Sequence, residues 1–90
     1  MVDRSANNSK EKLHLNLRKF LSINDLKEKE YHNIELSQTE RNALINFDRY
    51  RIIELNKQTT NKAFQTKYFQ LQAMANLSPY EEFLKEEYYL

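Results

Sequence analysis

Imidazole is the side chain best suited to proton transfer or metal ligation near neutral pH, and this chain has two, His14 and His32. Neither has an acidic or histidine neighbour four residues on. The spacing therefore assembles neither a general base with its orienting group nor a metal site on a helix, and two histidines are too few for most all-histidine centres. Ser22, Ser37 and Ser78 each precede an acidic residue by three positions (Asp25, Glu40 and Glu81). That is the signature of helix caps, not of nucleophiles. Cysteine is absent, which excludes disulfides, thiolate metal sites and cysteine catalysis. Glycine is absent too, removing phosphate-cradling loops, dinucleotide fingerprints and nucleophile elbows together. These counts argue against an enzyme and imply no cofactor and no metal.

The chemistry that remains is ionic. Asp48 and Arg51 stand three residues apart, close enough on a helix to pair. At about 100° per residue they share a face with Leu44, Phe47 and Leu55, where aliphatic side chains are expected. Two readings stay open. The pair can lie at the margin of the stripe and reach out to water, or it can meet opposite charges on a partner. A buried ion pair contributes little net stability but discriminates well between partners, and the balance leans towards an interface.

The elements that must carry these groups are helical. The chain has 90 residues, one proline and a formal net charge of +1, enough for one small domain. Without glycine, tight two-residue hairpins are disfavoured, so the composition points to an all-α protein. Residues 1–9 are polar and aperiodic and read as a disordered tail. Residues 10–90 read as a single helical domain. Leu13, Leu17, Phe20 and Leu21 mark a first amphipathic helix from Lys10 to Leu21, with Asn8 and Glu11 at its start. A short second helix begins after Ser22, burying Ile23 and Leu26 and leaving Lys27-Glu28-Lys29-Glu30 solvated, and Tyr31–Ile34 form a connector. Ser37-Gln38-Thr39-Glu40 is a capping box that opens a third helix reaching at least Gln58. Leu44, Phe47, Ile52 and Leu55 form its broad apolar face, flanked by Ala43, Tyr50 and Ile45.

The polar segment Asn56–Asn61 suggests a break before a fourth helix at about Thr60–Asn76, striped by Ala63, Phe64, Tyr68, Leu71, Met74 and Ala75. A third helix continuous with the fourth competes with this, since neither proline nor glycine intervenes. Ser78-Pro79-Tyr80-Glu81 announces an acidic C-terminal helix over residues 78–90. The expected architecture is a small bundle of four or five helices.

Six tyrosines and five phenylalanines at helical spacing suit a core better than base-stacking platforms. Tyr80, Tyr88 and Tyr89 offer an alternative, an exposed adhesive patch. Lys10, Lys12, Arg18 and Lys19 cluster around the first helix, but interspersed lysines are ordinary, so DNA contact is expected to be weak or indirect. No apolar run approaches the length of a membrane span, and residues 1–9 lack a signal-peptide stretch. A cytoplasmic protein is expected.

Leu17-Arg18-Lys19, Ser22-Ile23 with Leu26, Ile34-Glu35-Leu36-Ser37 with Glu40, and Asp48, Arg51 and Glu54-Leu55 together resemble the Hha/YmoA family of small bacterial gene-expression modulators. The likeness spans roughly residues 12–58. It implies a compact α-helical protein without enzymatic activity that binds the N-terminal dimerisation region of the nucleoid protein H-NS or a paralogue and strengthens gene silencing. Family members present acidic side chains of the second and third helices to arginines of that partner. By position these are Asp25, Glu28, Glu40, Asp48 and Glu54, with Arg51 the ionic neighbour of Asp48. The family's aspartate-histidine-arginine reads Asp48-Arg49-Tyr50-Arg51 here, which aligns its aspartate with Arg49 unless one residue is inserted. Its C-terminal Pro-x-x-Val-Trp segment is missing, and Thr60–Leu90 lies beyond the likeness.

A second class of function fits the same residues: a small helical assembly subunit, phage- or plasmid-encoded, that self-associates as a homo-oligomer or docks on a larger complex. A third is a direct nucleic-acid binder.

Overall fold

The computed structural model describes residues 20–90. The tail, nearly all of the expected first helix, the cap at Asn8, the basic cluster and His14 lie outside the described residues. Within them the protein is all-α, with three helices: α1 (Ile23–Tyr31), α2 (Gln38–Asn56) and α3 (Asn61–Leu77). Two short 3-10 turns follow, Tyr80–Leu84 and Glu86–Tyr88. No strand occurs among the described residues, only an isolated bridge between Ser22 and Pro79.

Two helix starts are capping boxes, as the sequence predicts. Ser22 Oγ accepts from the backbone N–H of Asp25, and Asp25 Oδ2 accepts from the Ser22 N–H at 2.8 Å. Ser37 and Glu40 repeat the arrangement at the head of α2. Each box satisfies two N–H groups that a helix start would leave unpaired.

The end of α1 shows how a glycine-free chain turns. Helix α1 runs through Tyr31, further than expected, and Asn33 then adopts φ 60°. Ile34 N–H donates to the Lys29 carbonyl at 2.8 Å and Asn33 N–H to the Glu30 carbonyl at 3.0 Å. This is the Schellman pattern with asparagine, the residue that best tolerates the left-handed region after glycine, at its pivot.

The single long helix does not form. Helix α2 ends at Asn56, where the Gln58 amide donates to the Glu54 carbonyl at 2.9 Å. Thr60 is extended, at φ −128° and ψ 157°, and its hydroxyl accepts from Ala63 N–H. A carbonyl cap followed directly by a threonine N-cap ends one helix and starts another without glycine or proline.

The expected C-terminal helix is replaced by the two 3-10 turns, with extended backbone at Pro79 and Lys85. Ser78 makes no cap there: it follows α3 in extended conformation. Tertiary contacts account for this. Tyr80 N–H donates to the Leu21 carbonyl at 2.8 Å beside the Ser22–Pro79 bridge, so the segment is pinned to the start of α1. Phe83 and Tyr88, both buried, are five residues apart, which on an α-helix would set them about 140° apart. Breaking the helix at Lys85 turns both rings inward.

The core joins Ile23, Leu26 and Leu36 to Ala43, Leu44 and Phe47 of α2, Leu71 and Ala75 of α3, and Phe83 and Tyr88. Phe47 meets Phe83 edge-on at 4.9 Å, Phe83 meets Tyr88 at 5.0 Å, and Tyr88 meets Tyr50 at 4.9 Å. These contacts hold the C-terminal segment against α2. The adhesive tyrosine patch is therefore not formed as expected: Tyr88 is buried and Tyr80 half-buried, leaving Tyr89 exposed. Ile52, expected in the stripe of α2, is exposed, as are Phe64 and Tyr68 in the outer half of α3.

Candidate functional site

Asp48 stands near the middle of α2, facing α1. Its Oδ1 lies 3.6 Å from Lys27 Nζ of α1 and 3.6 Å from Arg51 Nη2, one turn further along α2. Both separations exceed hydrogen-bonding distance, and Asp48 Oδ1 and Arg51 Nε are buried without a hydrogen bond. The Asp48 side chain as a whole is 46% exposed. A carboxylate is thus held between two cations by ionic attraction, with acceptor capacity left over. The i,i+3 pairing read from the sequence is present. Lys27 was missed, because its approach depends on how α1 crosses α2 and not on local spacing.

The other carboxylates named from the resemblance occupy different situations. Asp25 is engaged in the Ser22 capping box. Glu40 is buried: Oε1 accepts from Ser37 N–H at 2.9 Å and Oε2 meets Lys29 Nζ at 3.0 Å. The Ser37 N–H, with help from Lys29, holds its pKa below the ordinary 4.5 despite burial. Glu54 lies between Lys57 at 2.8 Å and Lys67 of α3 at 3.7 Å. The Lys57 hydrogen bond is the main reason its pKa is also lowered. Glu28 is exposed on α1, beside Leu21, Lys29, His32 and Ile34. Asp25, Glu40 and Glu54 therefore stabilise the fold, while Glu28 and Asp48 present acceptors outward.

Two shallow grooves flank the Asp48 cluster, and Lys27 borders both. One, of about 240 Å³, brings Arg41, Leu44 and Ile45 to Asp48. The other, of about 230 Å³, runs between the three helices past Arg51, Phe47 and Leu71. Exposed Ile45 and Ile52 lie on either side of Asp48 along α2, at i−3 and i+4. The surface thus mixes an incompletely satisfied ionic cluster with apolar side chains, a composition suited to macromolecular contact.

Sequence reasoning also missed Asn46. It is 1% exposed and donates through Nδ2 to the Phe83 carbonyl at 2.8 Å, while its Oδ1 accepts from Arg49 Nη2 at 2.8 Å. The available signal was its place between Ala43, Phe47 and Tyr50, a polar residue inside an apolar stripe.

Among the described residues no group of three or more histidine, aspartate or glutamate side chains is placed to hold a metal. No helix among them is long and apolar enough to cross a membrane. His32 is exposed and packs edge-on to Tyr31 at 5.2 Å. Comparison with protein-family models, with curated proteins and with solved structures finds no match to this chain.

Proposed function

We propose that this protein is a non-enzymatic helical interaction module. Its closest functional analogy is with Hha-type modulators that bind an H-NS-like nucleoid protein and enhance gene silencing, acting in the cytoplasm at the nucleoid and contacting DNA weakly or through that partner. The observation that carries the reading is the half-exposed Asp48 carboxylate. Its Oδ1 is buried between Lys27 and Arg51, the remainder of the side chain is open to solvent, and exposed Ile45 and Ile52 border it. A partner arginine docking there would take the carboxylate over from Lys27 or Arg51, and the isoleucines would contribute apolar area. Glu28 extends the acceptor surface along α1. Asp25, Glu40 and Glu54 act on binding indirectly, by fixing the helices that present the surface.

Calorimetric titration with the N-terminal dimerisation region of an H-NS-type protein tests the reading. Binding is expected at low salt, and Asp48→Asn is expected to weaken it by about 2–5 kcal/mol once the partner covers the cluster. No binding at low salt, or no response to the substitution, overturns it.

A second reading, a helical assembly subunit that self-associates, draws support from a different observation. Ile53 on α2 and Phe69 and Leu77 on α3 are large, apolar and 40–67% exposed. A sedimentation mass that rises with concentration in the absence of any partner favours it.

A further inference from the structure

The groove between α1, α2 and α3 has an ionic character opposite to that of Asp48. Its floor is Phe47 and Leu71, and its rim carries Lys27, Arg51, Asn24 and Gln72. No carboxylate among the described residues lines it. The nearest counter-charge, Asp48, sits 3.6 Å from each cation and borders the neighbouring groove with Glu30, which makes no ion pair with Lys27. Two cations thus share one carboxylate. Neither Lys27 Nζ nor any guanidinium nitrogen of Arg51 donates a hydrogen bond among the described residues, and Arg51 Nε is buried without a partner. The Nε lies out of a ligand's reach, but the Arg51 side chain is 37% exposed, and with no acceptor engaged its guanidinium is free to donate to a ligand.

We infer that this groove receives one carboxylate side chain of a partner protein, an aspartate or glutamate seated between Lys27 and Arg51 with an apolar neighbour against Phe47 and Leu71. The charge balance selects the occupant. One uncompensated positive charge matches a monoanion, whereas a phosphate dianion would bring a second negative charge next to Asp48. A guanidinium also presents donors in a planar fork that fits a carboxylate. The amides of Asn24 and Gln72 can donate to the same group. The inference deepens the interaction-module reading and rests on it. Asp48 accepts from a cation of the partner while the groove donates to an anion, so the partner's surface must carry both signs in register. Such alternation rejects partners with either sign misplaced.

NMR titration of the full-length chain tests this with a blocked Leu-Glu-Leu peptide, its Leu-Gln-Leu counterpart and inorganic phosphate as probes. The glutamate peptide is expected to shift the signals of Asn24, Lys27, Gln72 and the Arg51 side chain. The glutamine peptide is expected to bind about tenfold more weakly, the scale of one charge-assisted hydrogen bond. Lys27→Gln and Arg51→Gln are expected to reduce glutamate-peptide binding similarly, and Lys27→Gln serves alone if the Arg51 variant misfolds. Asp48→Asn, which removes the competing carboxylate, is expected to tighten it, opposite to its effect on a partner that brings an arginine to Asp48. Absence of shifts in the groove, equal binding of the two peptides, or phosphate binding as well as the glutamate peptide overturns the inference. If an H-NS-type protein binds with the Asp48 dependence while the peptide leaves the groove unmoved, the interaction-module reading stands and the carboxylate groove fails.

Discussion

The side-chain amide of Asn46 donates to the backbone carbonyl of Phe83 at 2.8 Å, and both residues are buried. This bond ties the middle of α2 to the C-terminal 3-10 turn across 37 residues of sequence. The carbonyl it satisfies belongs to a turn whose irregular backbone offers no ladder partner. Removing the donor leaves that oxygen unpaired in an apolar setting, where the desolvation cost is fully felt. Asn46→Ala is expected to lower stability by about 1–3 kcal/mol in urea unfolding. Asn46→Asp gives a sharper test. A carboxylate cannot donate to the Phe83 carbonyl, but it keeps an acceptor for Arg49 Nη2, which lies 2.8 Å from the Asn46 oxygen. Asn46→Asp is therefore expected to lose the Phe83 bond alone and to be less stable than the parent at pH 7, and undiminished stability there would show that the bond to Phe83 contributes nothing.

Asn33 supplies the second prediction. Its φ of 60° is unfavourable for residues with a Cβ by about 1–2 kcal/mol, with asparagine among the least penalised. Asn33→Gly removes the remaining steric cost but loosens the unfolded chain, so stability is expected to change by less than about 1 kcal/mol. Asn33→Val, β-branched and without a local hydrogen-bonding group, is expected to destabilise by about 1–2 kcal/mol. Thermal unfolding of the two variants side by side checks the ordering.

What the sequence revealed, and what it hid, follows from the range of the interactions involved. The Ser22–Asp25 and Ser37–Glu40 boxes were legible because a cap is written within four consecutive residues. The Asp48–Arg51 pair was legible for the same reason. The C-terminal segment misled because its cap and proline favour a helix locally, while the hydrogen bond to Leu21 and the joint burial of Phe83 and Tyr88 are tertiary. Ile52 looked like core on a helical wheel, yet α3 begins only at Asn61 and its buried contacts are at Leu71 and Ala75, leaving the outer turns of α2 and α3 partly uncovered. Lys27 joined the Asp48 cluster through a helix crossing that spacing cannot encode.

Glu40 makes the fold sensitive to acid. Its folded-state pKa is lowered from 4.5, first by the Ser37 N–H and then by Lys29. A carboxyl with a depressed folded pKa contributes stability above its unfolded pKa and loses it as pH falls through the folded value. Stability is therefore expected to decline below about pH 4.5, with Glu54, also lowered, adding to the slope. Glu40→Gln keeps a capping acceptor while removing the charge, so its unfolding curve should be less stable at pH 7 and flatter across the acid range. An unchanged slope would assign the acid response elsewhere.

At the alkaline end the most strongly shifted group is Tyr88, with Tyr50 and Tyr80 raised as well. Burial, reinforced by the neighbouring Tyr50 and by Glu82 and Glu87, pushes its phenol up to about 12. A raised folded pKa means that the contribution is complete below the unfolded value near 10 and disappears as pH climbs through the folded one. Ultraviolet titration should show Tyr50, Tyr80 and Tyr88 ionising late, with Tyr88 last, and that last step should be missing from Tyr88→Phe. That variant should also resist alkaline unfolding better, since its ring cannot ionise.

Asp48 allows stability and recognition to be separated. In the free protein its side chain is 46% exposed and its ion pairs with Lys27 and Arg51 stretch to 3.6 Å, a regime in which a pair contributes about 0–1 kcal/mol. Asp48→Asn keeps the shape and removes the charge, so the melting temperature should move by no more than about 8 °C, the most that 1 kcal/mol produces in a domain of this size. The same sample titrated with an H-NS-type partner should lose affinity by several kcal/mol, since a charge left unmatched in a covered contact is much more costly than one at the surface. Combining Asp48→Asn with Arg51→Gln should give a coupling close to zero in the free protein. A large melting shift, or strong coupling without a partner, would make the cluster a structural clamp between α1 and α2 and remove the recognition surface from which the proposed function is argued.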